Sequence, residues 1–214
     1  MAPLVQFIHG KESGPWGTKI TYLADIALAL GYEVESLNYT GIADPQKRVE
    51  KLIAANQKQP AYMLVGSSMG GWVAATASAF IPVHGLFLLA PAFYMPDYPP
   101  HQLDCSGENI EIVHGWRDSL IPYQNIVRFA KENHCTLHLV DDEHRLKHKL
   151  DQVGEYFNNF LNYFKMTGGY FDKVGSPVLT LFKLDRRKNT AKSPGKDDMQ
   201  RGISVSALHV CEHC

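Results

Sequence analysis

The sequence lacks any apolar run near the roughly 20 residues that cross a bilayer, so no membrane-spanning helix is expected. It lacks the basic opening of a signal peptide: Met1-Ala2-Pro3 leads straight into apolar residues. The expected location is therefore the cytoplasm. Cysteine is scarce, with four in 214 residues. Cys105 and Cys135 are far apart and read as free thiols of a reducing compartment. Cys211 and Cys214 form a single Cys-Glu-His-Cys beside His209 and His213, with no second pair to complete a metal site. No metal and no cofactor is expected. Charge of one sign is missing too, since 21 basic residues face 22 acidic ones. Residues 165–214 carry +4 and the rest −5, and Arg186-Arg187-Lys188 is too short a cluster to argue for nucleic acid over a solvated run.

What is present is a chain that is 45% hydrophobic, ordinary for one soluble domain with an ample core. Strands are expected at 4–8, 33–38, 61–66, 85–90, 110–115 and 136–140, and helices at 17–30, 45–58, 69–80, 122–133 and 148–164. Such alternation predicts a mostly parallel sheet of about six strands with helices on both faces. Leu86-Phe87-Leu88-Leu89-Ala90 has the continuous apolar character of a central strand.

One pentapeptide carries chemistry. Gly66-Ser67-Ser68-Met69-Gly70 follows the apolar Ala61-Tyr62-Met63-Leu64-Val65 and precedes an Ala-rich helix former, Trp72 to Phe80. A G-x-S-x-G turn between strand and helix lifts the serine above the sheet edge, where it can act as a nucleophile. The strained turn needs small neighbours, and Gly66, Gly70 and Gly71 supply them.

A serine nucleophile needs a base and an acid. Ile110 to Gly115 forms a strand whose exit ends at Asp118, and Thr136 to Val140 forms one followed by Asp141-Asp142-Glu143-His144. Ser68, Asp118 and His144 thus lie just past strand ends, where open α/β sheets build their sites. In this set Ser68 attacks, His144 takes and returns the proton, and Asp118 holds the imidazole. His148 is the rival base, and Asp141 and Asp142 the rival acids. The latter pair read better as solvated loop charges, Asp118 also as a cap for the helix near Pro122, and His9 as structural.

Phe-Ile-His-Gly at 7–10, Gly-Ser-Ser-Met-Gly-Gly at 66–71, His-Gly-Trp-Arg-Asp-Ser-Leu-Ile-Pro at 114–122 and Asp-Asp-Glu-His at 141–144 together resemble the α/β-hydrolase superfamily. The chain is most similar to its small, lidless bacterial carboxylesterases and thioesterases over residues 3 to about 164. The chain order Ser, Asp, His is that of the superfamily triad. The resemblance implies an oxyanion hole made by the backbone N–H groups of Met69 and Lys11, Lys11 being the residue just past His-Gly. Loss of one such donor costs about 3 kcal/mol.

After the fourth strand, Pro91 to Pro100 contains four prolines, and only about twenty residues separate strand from strand. That is too short for a helical lid, which argues against a lipase. Phe93, Tyr94, Met95 and Tyr98 either line a substrate pocket or cover core. Two domains are therefore expected: a catalytic domain at 1–164 and, at 165–214, an extension without a catalytic role and with a possible strand at 178–182. The expected function is hydrolysis of carboxylic esters with short to medium acyl chains. Two alternatives stay open: a thioesterase on acyl-protein or acyl-CoA, and a hydrolase-fold binding or signalling protein with little turnover. A small-molecule ester is the expected partner, with neither nucleic acid nor membrane.

Overall fold

Strands that read as unbroken apolar runs take the middle of the sheet. The computed structural model describes residues 2–98 and 105–167. Its six strands are β1 (Leu4–Ile8), β2 (Glu33–Ser36), β3 (Met63–Ser67), β4 (Gly85–Leu89), β5 (Asn109–Gly115) and β6 (Thr136–Val140). They lie in the order β2-β1-β3-β4-β5-β6, and every pairing is parallel. The residues of β1 and β4 are buried throughout, whereas edge strand β2 shows Glu33 to solvent.

Side chains alternate across a strand, and each face meets its own helices. Leu86 and Leu88 point into a core formed with α2 (Pro45–Lys58), α3 (Met69–Ser78) and α4 (Tyr123–Asn133), which contribute Leu52, Trp72 and Phe129. Phe87 and Leu89 point the other way, into Leu23 of α1 (Thr18–Ala29) and Phe157 and Phe160 of α5 (Leu150–Thr167). Gly85 lets α5 sit close, since a Cβ there would come within 2.7 Å of the Phe160 and Phe164 rings.

Most boundaries match the sequence expectation, and the exceptions have local causes. Strand β2 stops at Ser36 rather than 38, where the Asn38 side chain accepts from the Thr40 amide. Helix α5 begins at Leu150 rather than 148, because the Lys149 amide turns to the Asp142 carboxylate at 2.8 Å. The connection from β4 to β5 carries no helix among its described residues. Beyond Thr167, the expected extension, with the strand at 178–182 and the Cys211–Cys214 motif, lies outside the described residues.

The register sets out the strand exits in a row: Ile8 pairs with Gly66, Ser67 with Leu89, Leu89 with Val113, and Gly115 with Val140. From β1 the chain moves outward to β2, then returns to β3 on the opposite side. That reversal opens a crevice at the carboxyl ends of β1 and β3, where such sheets bind ligands.

Candidate active site

Ser68 stands at this crevice with φ 55° and ψ −119°, a backbone conformation that L-residues rarely adopt. Such a residue costs on the order of 1–3 kcal/mol and persists only where its surroundings impose it. Here the Ser68 amide donates to Leu89 O at 2.9 Å, and its carbonyl accepts from Gly71 at 2.9 Å and Ala92 at 3.1 Å. The turn closes only over glycine. A Cβ on Gly66 would lie 2.4 Å from Gly70 O, and one on Gly70 would lie 2.0 Å from Ile8 O.

The structure brings the three sequence-predicted catalytic residues together. Ser68 Oγ lies 3.0 Å from His144 Nε2, and His144 Nδ1 lies 2.7 Å from Asp118 Oδ2. A carboxylate only accepts, so Nδ1 carries the proton toward Asp118, and Nε2 is left to accept from the serine hydroxyl. The Asp118 side chain is wholly buried, while that of His144 keeps 17% exposure. Burial opposes ionisation of Asp118, but the His144 hydrogen bond and the Ile121 and Leu120 amides outweigh it and hold the carboxyl below its ordinary value. Both amides reach Oδ1 at 2.9 Å. Helix α4 itself starts beyond them at Tyr123, with Pro122 as its N-cap.

A second histidine backs this acid. His114, at the end of β5, is fully buried with Nε2 3.1 Å from Ile121 O and 3.6 Å from Asp118 Oδ2. Both neighbours accept, so Nε2 bears the proton; burial, opposed by Asp118, lowers its pKa and keeps it neutral. Sequence reasoning treated it as an ordinary strand residue, although its place four residues before Asp118 was the available signal.

The rivals are placed elsewhere. Asp141 pairs with exposed Arg117 at 3.1 Å. Asp142 is not the solvated loop charge expected: it is 1% exposed. Its carboxylate accepts from the Glu143 amide at 2.7 Å, the Lys149 amide at 2.8 Å and His148 Nδ1 at 3.0 Å. Those bonds replace water and fix the loop that carries His144. His148 thus serves Asp142 and remains largely exposed.

On the other side of Ser68 lies the loop after β1. The position of a Cβ on Gly10 is 3.5 Å from Ser68 Cβ, so this loop abuts Ser68. Lys11 follows immediately with its side chain in solvent. Met69 is the first residue of α3, where amides have no partner within the helix. His9 is buried and structural, its Nδ1 2.8 Å from Gly10 O and its Nε2 accepting from the Tyr39 amide at 2.9 Å. Arg48 of α2, unnoticed in the sequence, is 1% exposed and donates to Ile42 O at 2.7 Å and to His9 O and Gly10 O at 3.1 Å each.

The three pocket candidates divide. Phe93 has no exposed surface and stacks on Phe129 with ring centroids 3.9 Å apart, which makes it core. Tyr94 is half-buried, φ 54°, with its hydroxyl on Glu132 and Arg128 4.2 Å above its ring. Met95 is partly buried against the same core as Tyr98. The loop of Asp118 instead exposes Trp116 and Leu120. Among the described residues, no cluster of His, Cys, Asp and Glu is placed to hold a metal ion, and no helix is long and apolar enough to cross a membrane.

No family model and no curated protein matches the sequence. Among solved structures, the chain is 34% identical to a protein from Xanthomonas campestris assigned to the hydrolases of the alpha/beta superfamily. That match covers 75% of this chain and 99% of the other, with a TM-score of 0.68. The chain also resembles Est1E from Butyrivibrio proteoclasticus, in a structure with ferulic acid bound, at 20% identity over 76% of this chain and 89% of that one, TM-score 0.62. The ydeN gene product of B. subtilis is 16% identical over 77% of this chain and all of its own, TM-score 0.63. These last two likenesses concern the fold alone.

Proposed function

The chain belongs to the α/β-hydrolase superfamily, and we propose that it is a serine hydrolase that cleaves carboxylic esters of short to medium acyl chains. The observation that carries this reading is the unbroken chain of hydrogen bonds from Ser68 through His144 to Asp118, at 3.0 and 2.7 Å, with Ser68 on a strained turn.

In this mechanism Ser68 Oγ attacks the acyl carbon while its proton passes to His144 Nε2. The carbonyl oxygen becomes an oxyanion facing the N–H groups of Met69 and Lys11. The acyl–oxygen bond then breaks, and the leaving alkoxide takes the proton from Nε2. Water enters, gives a proton to Nε2 and attacks the acyl-enzyme, releasing the acid and restoring the Ser68 hydroxyl. Asp118 stabilises the imidazolium in both halves, and the cycle needs no cofactor.

The short connection after β4 and the exposed Trp116 and Leu120 support a modest apolar substrate met at an open mouth. The reading places the protein in the cytoplasm, with a small-molecule ester as partner and no part for nucleic acid or membrane. Hydrolysis of p-nitrophenyl esters from acetate to palmitate, with Ser68→Ala in parallel, tests it. Rates peaking at short to medium chains and lost in the variant are expected. Equal rates in the variant would remove Ser68 as the nucleophile, and no ester turned over by wild type would move the function to thioesters or to ligand binding.

A further inference from the structure

Arg48 is a fully buried cation with no carboxylate in ion-pair contact among the described residues. Around it lie carbonyls, Tyr98 and the face of Tyr39, whose ring centroid lies 5.4 Å from the guanidinium carbon. A buried charge held without a counter-ion is costly to keep. What it grips explains its place.

Arg48 Nη1 donates to the carbonyls of His9 and Gly10, and the Gly10 carbonyl belongs to the peptide unit whose N–H is that of Lys11. His9 donates to the same carbonyl through Nδ1 at 2.8 Å, since a carbonyl can only accept. The ring is fixed in that tautomer by the Tyr39 amide on Nε2. A relay therefore runs from Tyr39 N–H through His9 to Gly10 O, joined there by the guanidinium.

In a trans peptide the C=O and N–H point in opposite directions. Two donors on the Gly10 oxygen hold that plane and aim the Lys11 N–H away from Arg48, while Gly10 itself abuts Ser68. Donation to a carbonyl also polarises its own N–H, strengthening the bond it gives by about 10–30%. A fixed positive charge behind the loop further favours an anion developing in front of it.

We propose that Arg48 is a positioning residue of the oxyanion hole, acting through the Gly10–Lys11 peptide together with His9. The inference rests on the reading of Ser68 as nucleophile and of Lys11 as an oxyanion donor.

The test compares wild type, Arg48→Met and Arg48→Lys on matched oxo- and thionoesters, whose developing anions sit on oxygen and on sulfur. Arg48→Met is expected to lower kcat on the oxoester about 100-fold, the scale of one lost oxyanion donor, with KM changed less than about threefold. The thionoester should lose much less, because sulfur draws little from the hole, and Arg48→Lys should fall between. Equal losses on both esters, or wild-type rates in both variants, would overturn the proposal. Should Arg48→Met fail to fold, the oxo-to-thiono ratio of Arg48→Lys decides alone.

A second readout needs no turnover: calorimetric affinity for an alkylboronic acid, which forms a tetrahedral adduct at Ser68. Weaker binding by both variants supports the proposal, and unchanged binding overturns it. A wild type that binds the boronic acid but hydrolyses no ester sinks the ester reading while leaving the Arg48 role to stand or fall on affinity. A wild type that neither binds nor hydrolyses overturns both.

Discussion

The two flanks of Ser68 bury charges of opposite sign by opposite means. On the β5–β6 flank, Asp118 and Asp142 are carboxylates enclosed by backbone amides and histidines. On the β1–α2 flank, Arg48 is a cation enclosed by backbone carbonyls. The serine sits between an anion that would stabilise an imidazolium and a cation that would stabilise an oxyanion. In the proposed mechanism, proton transfer from Ser68 would separate charge in that same sense, so the fold would be polarised along the reaction before substrate arrives.

The largest expected effects come from breaking the first flank. Ser68→Ala should lower ester turnover by about 10⁶-fold. Asp118→Asn keeps the shape but presents an amide to His144 Nδ1, and should cost about 10⁴-fold in kcat. Steady-state assays of both variants check the pair, and a residual rate above one-tenth of wild type in either would break the comparison.

Asp142→Asn tests support rather than chemistry. It weakens the bonds from Glu143, Lys149 and His148 in a buried site, so a loss of about 1–3 kcal/mol in chemical denaturation is expected. Its turnover should fall far less than that of Asp118→Asn. A larger loss of activity than of stability would make Asp142 the working acid.

Acid pH should weaken this flank selectively. Asp118 and Asp142 are both held below the ordinary carboxylate value; burial works against this in each, and hydrogen bonds prevail. An unfolded Asp titrates near about 3.9, so between the two values the unfolded chain binds more protons and stability rises with pH. The contribution is complete above the unfolded value and disappears as pH falls through the native ones. Denaturation midpoints from pH 7 to 3 should therefore drop more steeply in wild type than in Asp118→Asn. Parallel curves would deny Asp118 its role. The smallest effect belongs to His148→Ala, which takes one of three donors from the buried Asp142 carboxylate on the side where His148 meets solvent and water can replace it; stability should fall by about 1 kcal/mol with activity unchanged.

The two flanks also differ in how plainly the sequence announces them. Ser68, Asp118 and His144 each follow an apolar run that ends in Gly or Asp, so strand exits and chemistry coincide in the text of the chain. The alternation of strands and helices and the burial of Leu86-Phe87-Leu88-Leu89 follow from the same short-range pattern, whereas the lateral order β2-β1-β3-β4-β5-β6 is set by crossovers that leave no local mark. Arg48 has no such marker. It sits in Pro45-Gln46-Lys47-Arg48-Val49-Glu50-Lys51, and helical spacing alone aligns it with Leu52 and Asn56 on the buried face. Only the carbonyls of a loop 38 and 39 residues away separate it from its solvated neighbours. For the same reason Asp142 departs from the solvated loop charge expected: whether a loop carboxylate meets water or amides depends on where the chain turns next. Phe93 was equally ambiguous, since stacking on Phe129 is decided by how α4 docks.

The central claim is that His144 and Asp118 make Ser68 a nucleophile. Treatment with diethyl p-nitrophenyl phosphate, followed by peptide mapping by mass spectrometry, tests it most directly. One diethylphosphoryl group on Ser68, slowed at least about 100-fold in His144→Ala and absent in Ser68→Ala, is the predicted result. An unmodified Ser68, or labelling at the same rate in His144→Ala, would contradict the account.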